Sequence, residues 1–169
     1  MAELTKKERL QPSLLDRLTD EEPDDQQESR DRRVISPARL RECVRRDLTW
    51  LFNTTNLATL HNLDAYPEVA RSVVNFGMPD LAGRTANSID IRALEQILTA
   101  VIWDFEPRLI KSSVVVRIYA DESKMNNNAM IFDIEAELWA QPLPLRLFLR
   151  TEIDLENGGV SVSDLGQAR

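Results

Sequence analysis

Two stretches in the carboxyl-terminal third restrict the fold more than any other feature: MIFDIEAELWA over residues 130–140 and LRLFLRTEID over Leu145–Asp154. In the first, Met130, Phe132, Ile134, Ala136 and Leu138 alternate with Asp133, Glu135 and Glu137. In the second, Leu145, Leu147, Leu149 and Ile153 share one side. Successive side chains of a strand point to opposite faces, so a period of two describes strands buried on one face and wetted on the other. The β-branched run VVVRIYA at 114–120 predicts a strand before these two. Asn157-Gly158 predicts a tight hairpin leading to a last strand at 160–163. Pro142 and Pro144 fall in the connection between the long strands, where a missing amide donor is tolerated.

A sheet with one apolar face needs a cover, and the helical signals all come earlier in the chain. Ser36-Pro37 starts a helix, with serine as cap and proline at the first helical position. Leu40, Cys43, Val44, Leu48, Leu51 and Phe52 form its apolar stripe, and Asn53-Thr54-Thr55-Asn56 ends it. Arg39, Arg41, Arg45 and Arg46 face elsewhere, with Glu42 spaced to pair weakly with Arg46. Pro67 opens a short helical turn over 68–75, which Gly77 and Pro79 stop. Ser88 is expected to cap a second long helix carrying Ile91, Leu94, Leu98, Val101 and Phe105, its stripe widened by Ile97 and Ile102. That helix should end near Phe105, because the residue before Pro107 is pushed out of helical geometry. The predicted fold class is α+β, with N-terminal helices packed on one face of a three- to four-stranded antiparallel sheet.

Ahead of this domain, LQPSLLDRL sets Leu10, Leu14 and Leu18 on one stripe, joined by Leu15. The stretch TDEEPDDQQESRDRR at 19–33 has almost no apolar surface to bury and reads as a flexible linker. The expected organisation is a short amphipathic arm at 1–18, a charged linker at 19–35 and one α+β domain at 36–169. Leu14, Leu15 and Leu18 either pack on their own domain or dock on a neighbour.

Charge and composition exclude several classes. A net charge of −7 lacks the basic excess of a general nucleic-acid binder. The opening MAELTKKERLQPSLL has no long apolar core of a secretory signal, and no run approaches the roughly 18 apolar residues that span a bilayer. A soluble protein of a reducing compartment, the cytoplasm, is the expectation. The lone Cys43 sits on an apolar helix position and reads as inert packing. One histidine, His61, and one cysteine leave no soft or imidazole ligand set for a metal, and the five scattered glycines form no phosphate loop. No cofactor is expected.

Paired carboxylates are the remaining enzymatic idea, as in glycoside hydrolysis. Asp104 and Glu106 point about 200° apart at roughly 100° per helical residue and cannot face one substrate. Asp133, Glu135 and Glu137 share a strand face, which is also how a wetted sheet stays soluble. WDFEPRL at 103–109 is more distinctive, because it sets an acid, a proline and a base where an apolar helix stops. Proline fixes the backbone there, so Glu106 and Arg108 can project to a partner's polar groups and helix ends; alternatively they pair internally and cap their own backbone.

PSLLDRL, the stretch YPEVARSVVNFGMPDLAG at 66–83 and the capped helix ending in FEPRL occur in that order. In this combination the chain resembles, over nearly its whole length, the TssE family of type VI secretion baseplates. That family is related to a phage baseplate wedge protein historically labelled lysozyme-like. The resemblance implies a non-catalytic, cytoplasmic component of the baseplate wedge near the inner membrane, beside TssF, TssG and TssK. It also implies a fold like the domain through which subunits of the contractile sheath, TssB and TssC, interlock. The family's motif maps onto Glu106, Pro107 and Arg108 and is held to grip the wedge's helical core bundle. Val160, Ser161 and Val162, in the last strand of a meander, are the expected edge for a sheath arm. The alternative function is a carboxylate-based peptidoglycan hydrolase.

Overall fold

The computed structural model describes residues 13–19, 35–85, 88–119, 129–140 and 144–167. The arm before Ser13, Leu10 included, and the linker apart from Thr19 and Ile35 lie outside the described residues. Helix α1 (Leu14–Leu18) is followed by α2 (Pro37–Phe52), the short α3 (Pro67–Ala70) and α4 (Ile91–Phe105). Strands β1 (Val115–Tyr119), β2 (Ala129–Leu138), β3 (Leu145–Asp154) and β4 (Val160–Asp164) complete the α+β chain. They form one antiparallel sheet in the order β1-β2-β3-β4.

The alternation in sequence becomes the inner face of this sheet. Met130, Phe132, Ile134, Ala136 and Leu138 pair in register with Ile153, Thr151, Leu149, Leu147 and Leu145. Nearly all of these are buried, while Arg146, Arg150 and Glu152 face water. Helix α2 adds Val44, Leu48, Leu51 and Phe52 to the core, and α4 adds Leu94, Leu98 and Ile102. Phe52 meets Phe132 edge to face at 5.5 Å. Ile97 does not widen the core stripe as expected, for it is exposed on the outer side of α4.

The caps show how the helices are delimited. Ser36 Oγ accepts the Arg39 N–H at 3.1 Å and Pro37 occupies the first turn, as the sequence indicates. At α4 the cap is Asp90, which accepts from Ala93 N–H, and not Ser88, whose hydroxyl donates to the Thr85 carbonyl. An aspartate next to the first helical residue reaches the free amides that a serine two residues earlier cannot. The turn expected over 68–75 is two pieces, α3 and a 3-10 turn at Val73–Asn75. Gly77 has φ +126°, and a Cβ there would lie 2.2 Å from the Thr54 carbonyl oxygen. That close approach lets Met78 exchange backbone bonds with Thr54 and Asn56.

The linker's last residue belongs to the domain. Ile35 is buried with Leu40 and Cys43 in a small cluster of its own.

Candidate functional site

Helix α4 ends where Glu106 N–H reaches the Ile102 carbonyl, and Pro107 blocks any further turn. The chain then runs against β2, through Arg108 C=O to Trp139 N–H and Ile110 N–H to Glu137 C=O, both at 2.8 Å. A helix end on one side and a strand end on the other therefore fix the Glu106-Pro107-Arg108 turn. Of the two sequence readings of this turn, the internal pairing is seen, and Glu106 does not project. It is only 3 % exposed, and one carboxylate oxygen accepts from Arg108 N–H (3.1 Å) and Nε (2.7 Å). Its other oxygen accepts from Arg108 Nη2 at 2.5 Å. An acid at a helix end beside a backbone amide and a planar fork of donors gains more by turning inward than by facing water. Pro107 is exposed at the tip, and Arg108 is partly exposed behind it.

Arg108 has a second acid, which the sequence reading missed: Nη2 also reaches Asp47 Oδ2 of α2 at 2.5 Å. Burial opposes the charge on Arg108, but bonding to Glu106 and Asp47 outweighs it and holds the guanidinium firmly protonated. Among the described residues Nη1 of Arg108 has no acceptor. Asp47 in turn accepts from Arg46 Nε at 2.8 Å, and Arg46 Nη1 donates to Asp16 Oδ1 of α1 at 2.7 Å. Arg46 thus pairs with Asp16 and Asp47 rather than with Glu42, which is taken by Arg45. Five charges of alternating sign run Asp16, Arg46, Asp47, Arg108, Glu106.

The arm is seated by its polar side. Ser13 caps α1 and its hydroxyl bonds the Asp16 carboxylate at 2.6 Å. The Asp16 side chain is 6 % exposed. Burial pushes its acidity down, but bonds from Ser13, Arg46 and the Cys43 thiol prevail and lower its pKa to about 2. Burial and the Asp16 carboxylate together push the Cys43 thiol up. Leu14, Leu15 and Leu18 turn outward, Leu14 and Leu18 being 70 % and 75 % exposed. Between arm and turn lies a cleft of about 470 Å³, walled by Leu15, Trp50, Phe76, Phe105, Pro107 and Arg108 among others.

The third predicted element, β4, packs against α2 and contributes no residue to this cleft. β4 is at the sheet edge, but Val160 already bonds both its N–H (2.9 Å) and its C=O (2.8 Å) to the Asn53 side chain. Val162 C=O accepts from Arg45 Nη1 at 3.2 Å, and Ser161 is exposed. The opposite edge is touched similarly, with Ile118 N–H donating to Glu95. The candidate acids do not converge: Asp104 is exposed, both Glu106 oxygens are occupied by Arg108, and Asp133 pairs with Arg150 at 2.9 Å. Among the described residues no group of three or more His, Cys, Asp or Glu could hold a metal, and no helix is long and apolar enough to cross a membrane.

A family model described as baseplate wedge protein gp25 matches residues 38–143. The chain belongs to the baseplate wedge protein gp25 family. Neither the curated proteins nor the solved structures give a match. Membership makes this a structural component of a phage-tail-like baseplate, in agreement with the resemblance read from the sequence. The region shared with the gp25 family holds α2, α4 and the Glu106-Pro107-Arg108 turn with its Asp47 partner, while α1, β3 and β4 fall outside it. Asp16, Arg46 and Asp47 carry no local signal, since a charged residue on an amphipathic helix reads as solvated until a partner is placed opposite.

Proposed function

We propose that this gp25-family protein is a type VI secretion wedge subunit that binds the TssF–TssG core bundle through the turn at Glu106, Pro107 and Arg108. TssK completes that wedge in this reading, and the site is cytoplasmic, at the inner-membrane baseplate. The observation that carries it is Arg108: a guanidinium held by Glu106 and Asp47, with no acceptor for Nη1 among the described residues, beside a largely apolar cleft. A pre-ordered fork of donors loses little freedom on meeting a carboxylate or the open carbonyls of a helix end. Glu106 serves as the buried anchor that aims it. The second role is to start the contractile sheath of TssB and TssC at the β4 edge, Val160, Ser161 and Val162. An added strand there must displace Asn53 from Val160 before it can take up the backbone bonds.

The test must separate binding from folding, because Arg108→Ala alone strands a buried acid. The double variant Glu106→Ala/Arg108→Ala removes both charges. Folded by circular dichroism, it should lose at least about tenfold in affinity for a purified TssF–TssG core, the scale for losing a desolvated charged contact. Unchanged capture by the folded double variant would defeat the reading.

A further inference from the structure

We propose that the seated arm and the Glu106-Pro107-Arg108 turn form one composite docking surface, positioned by Asp16, for a single amphipathic helix. The inference rests on the wedge-core reading above and adds to it the arm, the shape of the guest and the residue that holds the site together. Three observations carry it.

The first is the orientation of α1. A short amphipathic helix that packs in cis for its own stability buries its leucines. Here Ser13 and Asp16 are turned to the domain, and Leu14 and Leu18 face out. A five-residue helix is marginal alone, so something must hold it. Its Ser13 cap and the Asp16–Arg46 ion pair do so without using the apolar side. The second is the cleft, which takes Leu15 from the arm and Phe105, Pro107 and Arg108 from the turn. Its lining by Trp50, Phe76 and Phe105 suits apolar side chains from one face of a helix. The third is charge. The cleft is lined by Asp16, Asp47 and Glu106 as well as Arg108, but these acids are bonded to Arg46 or Arg108, whereas Arg108 Nη1 has no acceptor among the described residues and suits a carboxylate or the carbonyl end of the incoming helix. The guest is thus an amphipathic helix with apolar residues at three- and four-residue spacing and a negative end toward Arg108. Asp16 is a positioning residue: its carboxylate borders the cleft but is engaged by Ser13 and Arg46, and through those bonds it holds the arm in place.

Cys43 is the chain's single cysteine and lies buried under Asp16, so its reaction with a thiol reagent reports whether the arm is seated. The full chain is compared with Asp16→Asn, which leaves the leucines and the turn unaltered. Asp16→Asn should speed Cys43 modification and weaken capture of the purified wedge core about tenfold, as expected if the seated fraction falls to about one-tenth. Deleting residues 1–18 should weaken capture at least as much, and Asp16→Asn should add nothing to a Leu14→Ala/Leu18→Ala background. Two results overturn the proposal: Cys43 reacting no faster in Asp16→Asn, or reacting faster with capture unchanged. The folded Glu106→Ala/Arg108→Ala variant separates the two levels. If it captures normally the wedge-core reading fails, whereas its loss of capture with Asp16→Asn unaffected sinks only the composite surface.

Discussion

Helix α2 borders two unlike regions, and the contrast between them organises the molecule. Through Val44, Leu48, Leu51 and Phe52 it closes the sheet core, where contacts are apolar and non-directional. One residue from Leu48, Asp47 joins Arg46 to Arg108 and so links the arm to the turn through charge-assisted bonds. The core tolerates no missing volume but is indifferent to which apolar atoms fill it. The seam is the reverse, since each member depends on a named partner and removing one leaves another uncompensated. A rigid core can therefore carry a surface turn whose geometry is set by a few pairs.

The largest expected effect lies in the core. Phe132→Ala should cost about 3–5 kcal/mol in urea unfolding, because it removes a fully buried ring and its edge-to-face contact with Phe52. In the seam, Arg108→Ala should cost about 2–3 kcal/mol, less than a fully buried pair because Arg108 keeps some solvent. Replacing both partners, as Glu106→Met/Arg108→Met, should return stability to within about 1 kcal/mol of the parent. A core double truncation gives no such rescue, and equal losses for single and double seam variants would erase the distinction.

A smaller effect comes from pH. Asp16 has its folded pKa lowered to about 2 from the usual 3.8 of a free aspartate. A depressed carboxylate stabilises the folded form above its unfolded pKa and loses that contribution as pH falls through the folded value. Arm seating should thus be full above pH 4 and fade between about 4 and 2, contributing at most about 2 kcal/mol. A carbon-detected NMR titration of the Asp16 carboxyl, repeated in Arg46→Gln, checks this; the variant should titrate at higher pH. The smallest effect has the opposite sign. Thr151 is fully buried on the inner sheet face, and its hydroxyl has no partner among the described residues, so Thr151→Val should stabilise the fold by about 1 kcal/mol. Destabilisation by that substitution would show that the core, too, depends on a polar partner.

The sequence by itself determined the sheet and the two long helices. A strand or helix buries residues at a fixed local period, so the alternation at 130–154 and the stripe from Leu40 to Phe52 state which side is inward without reference to distant chain. The end of α4 was legible for the same reason, because Pro107 acts on its neighbours. Even locally the expected cap was Ser88, and the exact start of the helix gave that place to Asp90 instead. What the tertiary structure alone decided were the pairings. Asp16 meets Arg46 thirty residues away and Asp47 meets Arg108 sixty-one away. Asn53 of α2 closes Val160 on β4 across 107 residues. The arm's leucine stripe was likewise plain in sequence, yet its outward orientation followed from Asp16 finding Arg46 and Cys43. Apolar burial is set by local periodicity, whereas a hydrogen-bonded charge gains only when its specific partner is brought within about 3 Å, and the fold alone fixes that distance.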